Sequence, residues 1–314
     1  MENLNGKIVT VFGGSGFVGR YIVKNLAEAG YTVRIISRSA EDAKPLKSCG
    51  FVGQVVHVRG NITDYDKLSG FIKNSYAVVN CVGILYECKK QRFDAIHAQA
   101  PEKLAKAAKS AGVAKFVHIS AIVSADSKSK YARSKIKGEK AVLAAFPAAS
   151  ILRPSVVFGA EDNFFNQFAA MATISPILPL IGGGKTMFQP VYVGDIALAV
   201  QKCVEGNFHG TYDLGGPRKI SFERIMKRIL RYTHKKRRLL NIPYPAANII
   251  ASLTPASVLT NDQLKLLRHS NVVGVNSKTL VDLGIRPTAI SAIVPSYLER
   301  FIKPKIRARL KRIA

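Results

Sequence analysis

The run Ile8-Val9-Thr10-Val11-Phe12-Gly13-Gly14-Ser15-Gly16-Phe17-Val18-Gly19-Arg20 constrains this chain more than any other stretch. Apolar and β-branched residues favour an extended strand at its start. The strand meets glycines spaced by three, Gly13, Gly16 and Gly19, and a helical pattern follows at Tyr21-Ile22-Val23-Lys24-Asn25-Leu26. Glycine permits a tight turn and a close approach of backbone to ligand. A helix N-terminus behind that turn presents free N–H groups and the positive end of its dipole, which suits a pyrophosphate. The candidate phosphate cradle is therefore Gly13, Gly14, Ser15, Gly16, Phe17, Val18 and Gly19, with Arg20 adding positive charge beside it. A glycine triplet alone says little, but between a strand and a helix it opens a βαβ unit.

The alternation continues. Strands are expected over 7–12, 32–37, 54–59, 77–82, 115–119 and 150–153, with helices over 20–29, 101–110 and 131–145. Such alternation predicts an α/β fold, a Rossmann-type doubly wound parallel sheet, with a smaller, mostly C-terminal, α-rich subdomain. The 314 residues suffice for both. The nucleotide-binding domain is expected over 1–157, with 189–216 returning to it as a helix at 195–204 and a strand at 210–214. The smaller subdomain is expected over 158–188 and 217–314, with a helix at 161–171. Within it, Arg224, Lys227, Arg228, Arg231, Lys235 and Arg238 follow a helical period, predicting one basic amphipathic helix over 222–238. The stretch 241–259 is broken by prolines around an apolar middle, and a basic segment closes the chain at 303–312.

Charge narrows the partners. Forty-seven Lys and Arg against 20 Asp and Glu give +27. That excess suits an anionic membrane surface or an acidic protein face, reached through the basic C-terminal half; a generally basic, solvated surface is the alternative. Nucleic acid is not the expected partner. The polar start predicts neither a signal nor a transit peptide, and no run approaches the ~20 apolar residues of a spanning helix. Cys49, Cys81, Cys88 and Cys203 lack CxxC spacing and read as reduced thiols. No metal site is expected, because His97, His118 and the other histidines lack paired ligand spacing. The motif at 182–186 mimics the end of a P-loop, but Pro179 stands where its first glycine belongs. Phe158, Phe164, Phe165 and Phe168 are expected in a core.

Several side chains fit a dinucleotide. An acid at the end of the second strand marks NAD. Here that end reads Ser37-Arg38-Ser39, and a guanidinium pairs well with a phosphate dianion. NADP(H) is therefore expected over NAD(H); the alternative for Arg38 is an ordinary loop arginine. After the third strand, Asn61 and Ile62 are placed to meet an adenine edge, while Asp64 is expected to cap the next helix. Val82 and Gly83 follow the fourth strand, where backbone can pass close to a ribose. Tyr131 and Lys135 share one helix face at i and i+4. As an acid pair, the ammonium would lower the phenol's pKa and the lysine would also hold a ribose. Ser120, Pro154 and Val156 complete the candidate contacts.

Together these residues resemble the extended or atypical short-chain dehydrogenase/reductase superfamily. The resemblance rests on Gly13-x-x-Gly16-x-x-Gly19, Asn80-x-x-Gly83, Tyr131-x-x-x-Lys135 and Gln189-Pro190-Val191-Tyr192-Val193-Gly194-Asp195. A narrower likeness comes from Arg153-Pro154-Ser155-Val156-Val157-Phe158-Gly159, Glu161-Asp162-x-Phe164-x-Asn166-x-Phe168 and Leu259-Thr260-x-Asp262-Gln263. These segments are similar to the family of NADPH-binding accessory subunits of respiratory complex I and their bacterial relatives. The resemblance implies a largely non-catalytic NADP(H)-binding subunit partnered by complex I subunits. It would lie in the cytoplasm, peripheral on the inner face of the inner membrane, or in the matrix of an organelle. One alternative is an active reductase or epimerase on a quinone-related, lipid or sugar-nucleotide substrate. Another is a redox-sensing NADP(H)-binding regulator. Active members carry Ser or Thr just after the fifth strand, a place that falls on Ala121 here, with Ser120 pointing away if the backbone is extended. Losing such a donor commonly costs a few kcal/mol of transition-state stabilisation, so efficient turnover is not expected and Tyr131 and Lys135 would be vestigial.

Overall fold

The computed structural model describes residues 6–89, 91–256 and 258–302. They form two compact units. The first comprises 6–89, 91–154, 193–214 and 273–286 and is built on a seven-stranded parallel sheet. Its strands are β1 (Ile8–Phe12), β2 (Thr32–Ser37), β3 (Val55–Arg59), β4 (Ser75–Asn80), β5 (Lys115–Ile119), β6 (Ser150–Pro154) and β7 (Gly210–Leu214), in the order β7-β6-β5-β4-β1-β2-β3. The chain winds outward from β1 through β2 to β3, then crosses back to place β4 on the other side of β1. A sheet wound in both directions leaves a crevice at the carboxyl ends of the strands where the winding reverses. Here that point lies between β1 and β4.

Alternation along β1 shows how the sheet is covered. Phe12 joins Ile36, Val78, Phe116 and Ile151 in a core with Leu104 and Ala108 of α2 (Ala100–Ser110) and Val142 of α3 (Lys130–Ala145). Val9 and Val11, fully buried, point to the opposite side. On α1 (Phe17–Glu28) the buried residues are Ile22, Val23 and Leu26, and on α4 (Val193–Glu205) they include Ile196 and Val200. Residues 273–286, read from sequence as part of the smaller unit, instead close the first one. The Asp213 amide donates to the Lys278 carbonyl, and the Gly274 amide donates to the Asp213 carboxylate. Residues 155–157, assigned to the nucleotide-binding domain, lie in the second unit.

The second unit, described over 155–192, 215–256, 258–272 and 287–302, is rich in helix. Of the phenylalanine group expected in a core, Phe158 and Phe165 are buried, together with Phe188, Phe222, Ile225 and Ile229, while Phe164 and Phe168 pack half-buried against them. The 164–174 helix starts later than expected because the Asp162 carboxylate accepts the Phe165 and Asn166 amides. The basic helix is shorter than its periodicity predicted, running only Phe222–Tyr232. Thr233 folds its hydroxyl back onto the Ile229 carbonyl, and His234 takes a left-handed φ of 50° that ends the helix. Lys235 and Arg238 are therefore off the stripe, and Arg238–Ile242 pairs as a strand with Ile177–Ile181. The segment expected to be broken yields a helix, Tyr244–Leu253, whose prolines fall at its start, where a missing N–H does no harm. The basic segment 303–312 lies outside the described residues.

Candidate functional site

A cavity of about 600 Å³ opens at the switch point, between the β1–α1 turn and the ends of β2, β3 and β4. Its lining includes Gly13, Ser15, Gly16, Ser37, Arg38, Asn61, Ile62, Val82 and Gly83 from the sequence expectation. The turn is built by exclusion. Gly13 has φ +76°, and a Cβ there would stand 3.3 Å from the Val82 amide. A Cβ on Gly19 would stand 2.2 Å from the Gly13 carbonyl oxygen, so glycine alone lets α1 lie this close to the turn. Gly16 caps α1 without any side-chain hydrogen bond, and the first turn holds no acid. No side-chain cap and no first-turn carboxylate competes for the first-turn amides, an arrangement that suits an anion.

Around this cradle the polar groups divide into committed and available ones. The Ser37 hydroxyl donates to the Ser39 carbonyl and takes a hydrogen bond from His57 Nε2, so it shapes the rim. Arg38 is exposed at the mouth, with Ser39 and Asp42 beside it in the lining. Asn61 fixes its own loop by accepting the Thr63 amide. Asp64 does not cap the following helix: its carboxylate turns back to the Asn61 amide at 3.0 Å. Gly14 packs against Val23 and Ile35 under the turn, and Arg20 donates to the Ser15 carbonyl at 3.3 Å. Neither these two nor Phe17, Val18 and Gly19 line the cavity; the last three contribute the backbone amides of the first turn of α1 at its edge. The donor set fits a dinucleotide phosphate. It offers a glycine turn that a Cβ would fill, uncapped helix amides and an exposed arginine.

Next to the cavity, α3 carries Tyr131, Ser134 and Lys135. From the site of a Gly83 Cβ, Lys135 Nζ lies 3.5 Å away and His97 Nε2 3.7 Å away. Lys135 is buried, and its ammonium donates to the Ile119 carbonyl at 3.4 Å. Burial pulls its pKa down to about 8, against the opposing pull of Glu139 and Cys81. Tyr131 departs from expectation. Burial, reinforced by the Glu139 carboxylate, raises its phenol, so desolvation outweighs the lysine 5.9 Å from the ring centre.

His97, whose spacing in the sequence predicted no metal-ligand role, organises this corner. It sits on a π-helical turn, Ala95–Gln99. Its Nε2 accepts the Ile84 amide at 3.0 Å, which puts the ring proton on Nδ1, facing Ser134 Oγ at 3.0 Å. Ser134 then donates to the Tyr131 carbonyl at 2.8 Å. Phe93 stacks on His97, and Tyr131 meets both rings edge-on. Burial and the neighbouring Lys135 pull His97 down to about 2, so it is neutral near pH 7. Below the sheet end, His118 takes a hydrogen bond from Asn80, whose carbonyl oxygen holds the Val82 amide, and burial pulls His118 to about 3. No spacing rule links residues 84, 97 and 134; only the widened turn brings them together.

The remaining candidates are not brought to the cavity. The Ser120 hydroxyl donates to Glu139, which Arg153 clasps with its Nε at 3.0 Å from both carboxylate oxygens. Pro154 ends β6, and its carbonyl accepts the Ile122 amide. Val156 lies in the second unit, where its amide donates to Asn271.

Residues 9–215 match the family model described as the NAD dependent epimerase/dehydratase family. The chain belongs to that family. Over 320 residues it is 32% identical to "NADH dehydrogenase [ubiquinone] 1 alpha subcomplex subunit 9, mitochondrial" of Arabidopsis thaliana, covering 96% of this chain and 80% of that protein. A ceramide reductase of Caulobacter vibrioides is 28% identical, covering 81% of this chain and 80% of that one. Among solved structures, the dTDP-glucose 4,6-dehydratase DesIV of Streptomyces venezuelae, with NAD and TYD bound, shares the fold. Its TM-score is 0.72 over 94% of this chain and 96% of that chain, at 18% identity. Among the described residues of this family member, no helix is long and apolar enough to cross a membrane.

Proposed function

We propose that this protein is an NADP(H)-binding, non-catalytic subunit of a respiratory NADH:ubiquinone oxidoreductase or a closely related assembly. The observation that carries the reading is the similarity to subunit 9 proteins along nearly the whole chain. The site supports it. The Gly13–Gly19 turn would take the pyrophosphate, and Arg38 the 2′-phosphate. Asn61 and Ile62 would meet the adenine, and Tyr131 and Lys135 the nicotinamide ribose. Bound NADPH supplies a hydride, but a carbonyl substrate would need a hydroxyl partner beside Tyr131. Ala121 has none, and Ser120 is engaged with Glu139. The cofactor would then act as a structural ligand, stabilising the fold by mass action. The test is native purification from membranes, with chromatography of the released nucleotide. Co-migration with the oxidoreductase and about one NADP(H) per chain are expected; an isolated chain devoid of nucleotide would overturn the reading.

A second reading is an active NADP(H)-dependent reductase. It is favoured by the intact pair of Tyr131 and Lys135, with the lysine titrating near the operating range of an acid–base group, and by the ceramide reductase relative. NADPH oxidation would be assayed against quinones, long-chain ketones and sugar nucleotides. Turnover abolished by Tyr131→Phe would establish this reading and refute the first.

A further inference from the structure

We propose that the second unit docks on an anionic lipid surface through one face, formed by the strand pair Ile177–Ile181 and Arg238–Ile242 and by the helix Tyr244–Leu253. The register pairs Arg238 with Ile177, Leu240 with Pro179 and Ile242 with Ile181. Side chains alternate across a strand, so these six residues share one side of the pair. Leu178, Leu180 and Leu239 point the other way, into or against the unit's core. Among the described residues, nothing covers the first side along its whole length. Ile177 is 40% exposed and Leu240 52% exposed. Ile181 and Ile242, at its far end, pack with Ala247 and Ala251 of the helix. The helix therefore lies over the same side of the strand pair and turns its opposite arc outward.

That outward arc is apolar. Residues 249, 250 and 253 fall within about 100° of one another on a helical wheel, away from Ala247 and Ala251. Ile249 is 64% exposed, Ile250 40% and Leu253 81%. An exposed apolar stripe of this kind marks an interaction surface rather than a solvated one. Its neighbours specify the chemistry. From Arg224 through Asn261 the chain carries eight Lys and Arg and no Asp or Glu. Lys236 and Arg238, both exposed, border a surface recess shared with Pro176 and Ile177. Exposed apolar side chains beside Lys236 and Arg238, on a stretch whose charged residues are all cationic, match the acyl boundary and headgroups of an anionic leaflet. The docking face holds no residue of the nucleotide site and stands independently of it.

The test is flotation of the full chain with vesicles of phosphatidylcholine alone, or of phosphatidylcholine and phosphatidylglycerol in equal parts. The wild-type protein is expected to float with the anionic vesicles only. Ile249→Ser with Leu253→Ser should lower the bound fraction by roughly tenfold or more. Lys236→Glu with Arg238→Glu should do the same, and added salt should weaken wild-type binding. All substituted side chains are exposed, so far-UV circular dichroism and NADPH affinity should match wild type in both variants. Absence of wild-type flotation would overturn the proposal, as would flotation indifferent to the apolar pair. Sedimentation showing a dimer that the apolar pair dissolves would also overturn it, assigning the face to a second copy.

Discussion

Replacing Gly138 with alanine tests how the corner of the site is assembled. Gly138 lies on α3 where that helix crosses the π-helical turn bearing His97. A Cβ there would sit 1.8 Å from the His97 carbonyl oxygen and 2.9 Å from its carbon, both backbone atoms with no side-chain freedom to yield. Moving from 1.8 Å to the roughly 3.4 Å of ordinary contact opens the helices by about 1.6 Å. The His97–Ser134 hydrogen bond, now 3.0 Å, would then exceed bonding range. Overpacking costs ~1–3 kcal/mol and the lost bond ~1 kcal/mol, offset by ~1 kcal/mol of helix propensity gained by alanine over glycine. The net expectation is a loss of about 1–3 kcal/mol. A unit of this size should melt roughly 3–10 °C lower. Gly70→Ala is the control, because a Cβ there meets nothing within 4 Å. That variant should be unchanged or slightly more stable. Urea unfolding followed by far-UV circular dichroism is the assay, since the chain has no tryptophan. A Gly138→Ala protein as stable as Gly70→Ala would refute the close-approach argument.

Three further outcomes follow from the site. Arg38→Asp should weaken NADPH binding by roughly 10–100-fold while leaving NADH nearly unchanged, because a charge-assisted contact contributes ~1.5–3 kcal/mol; equal losses for both nucleotides, measured by calorimetric titration, would remove Arg38 from the 2′-phosphate. Lys135 is held at about 8 in the fold against 10.5 in the open chain. The unfolded state therefore binds more protons between those values, and stability rises with pH across about 8 to 10.5. Lys135→Met should flatten that limb, by on the order of 3 kcal/mol, in urea titrations at pH 7.5 and 10.5. His118 falls from 6.5 to about 3 on folding, so its contribution is present above pH 6.5 and lost as pH falls toward 3. In acid unfolding, His118→Gln should shift the midpoint downward; an unmoved midpoint would show that His118 stays accessible to protons.

Local patterns made much of this protein readable. β-branched runs and glycine spacing placed β1, its turn and α1, and the same logic found each strand of the sheet to within a few residues. Arg38, Asn61 and Gly83 could be singled out because strand ends in a doubly wound sheet converge on one crevice. Helical periodicity failed at 233–238, where a hydroxyl and a left-handed residue stopped a helix that the charge pattern would have continued. The Asp64 cap failed because a carboxylate in a loop can turn to either neighbour.

What the sequence determined alone was the sheet, the glycine turn that opens it and the sign of the net charge, since each depends on residue types at short spacing or on their count. What only the tertiary structure decided was burial. It set Tyr131 high, where the neighbouring ammonium was expected to lower it, and it set Lys135 low. It engaged Ser120 with Glu139, joined residues 84, 97 and 134 through the widened turn, and brought 273–286 onto the last strand of the sheet. Desolvation and contacts between distant segments exist only once the chain has closed on itself, so no local pattern encodes them.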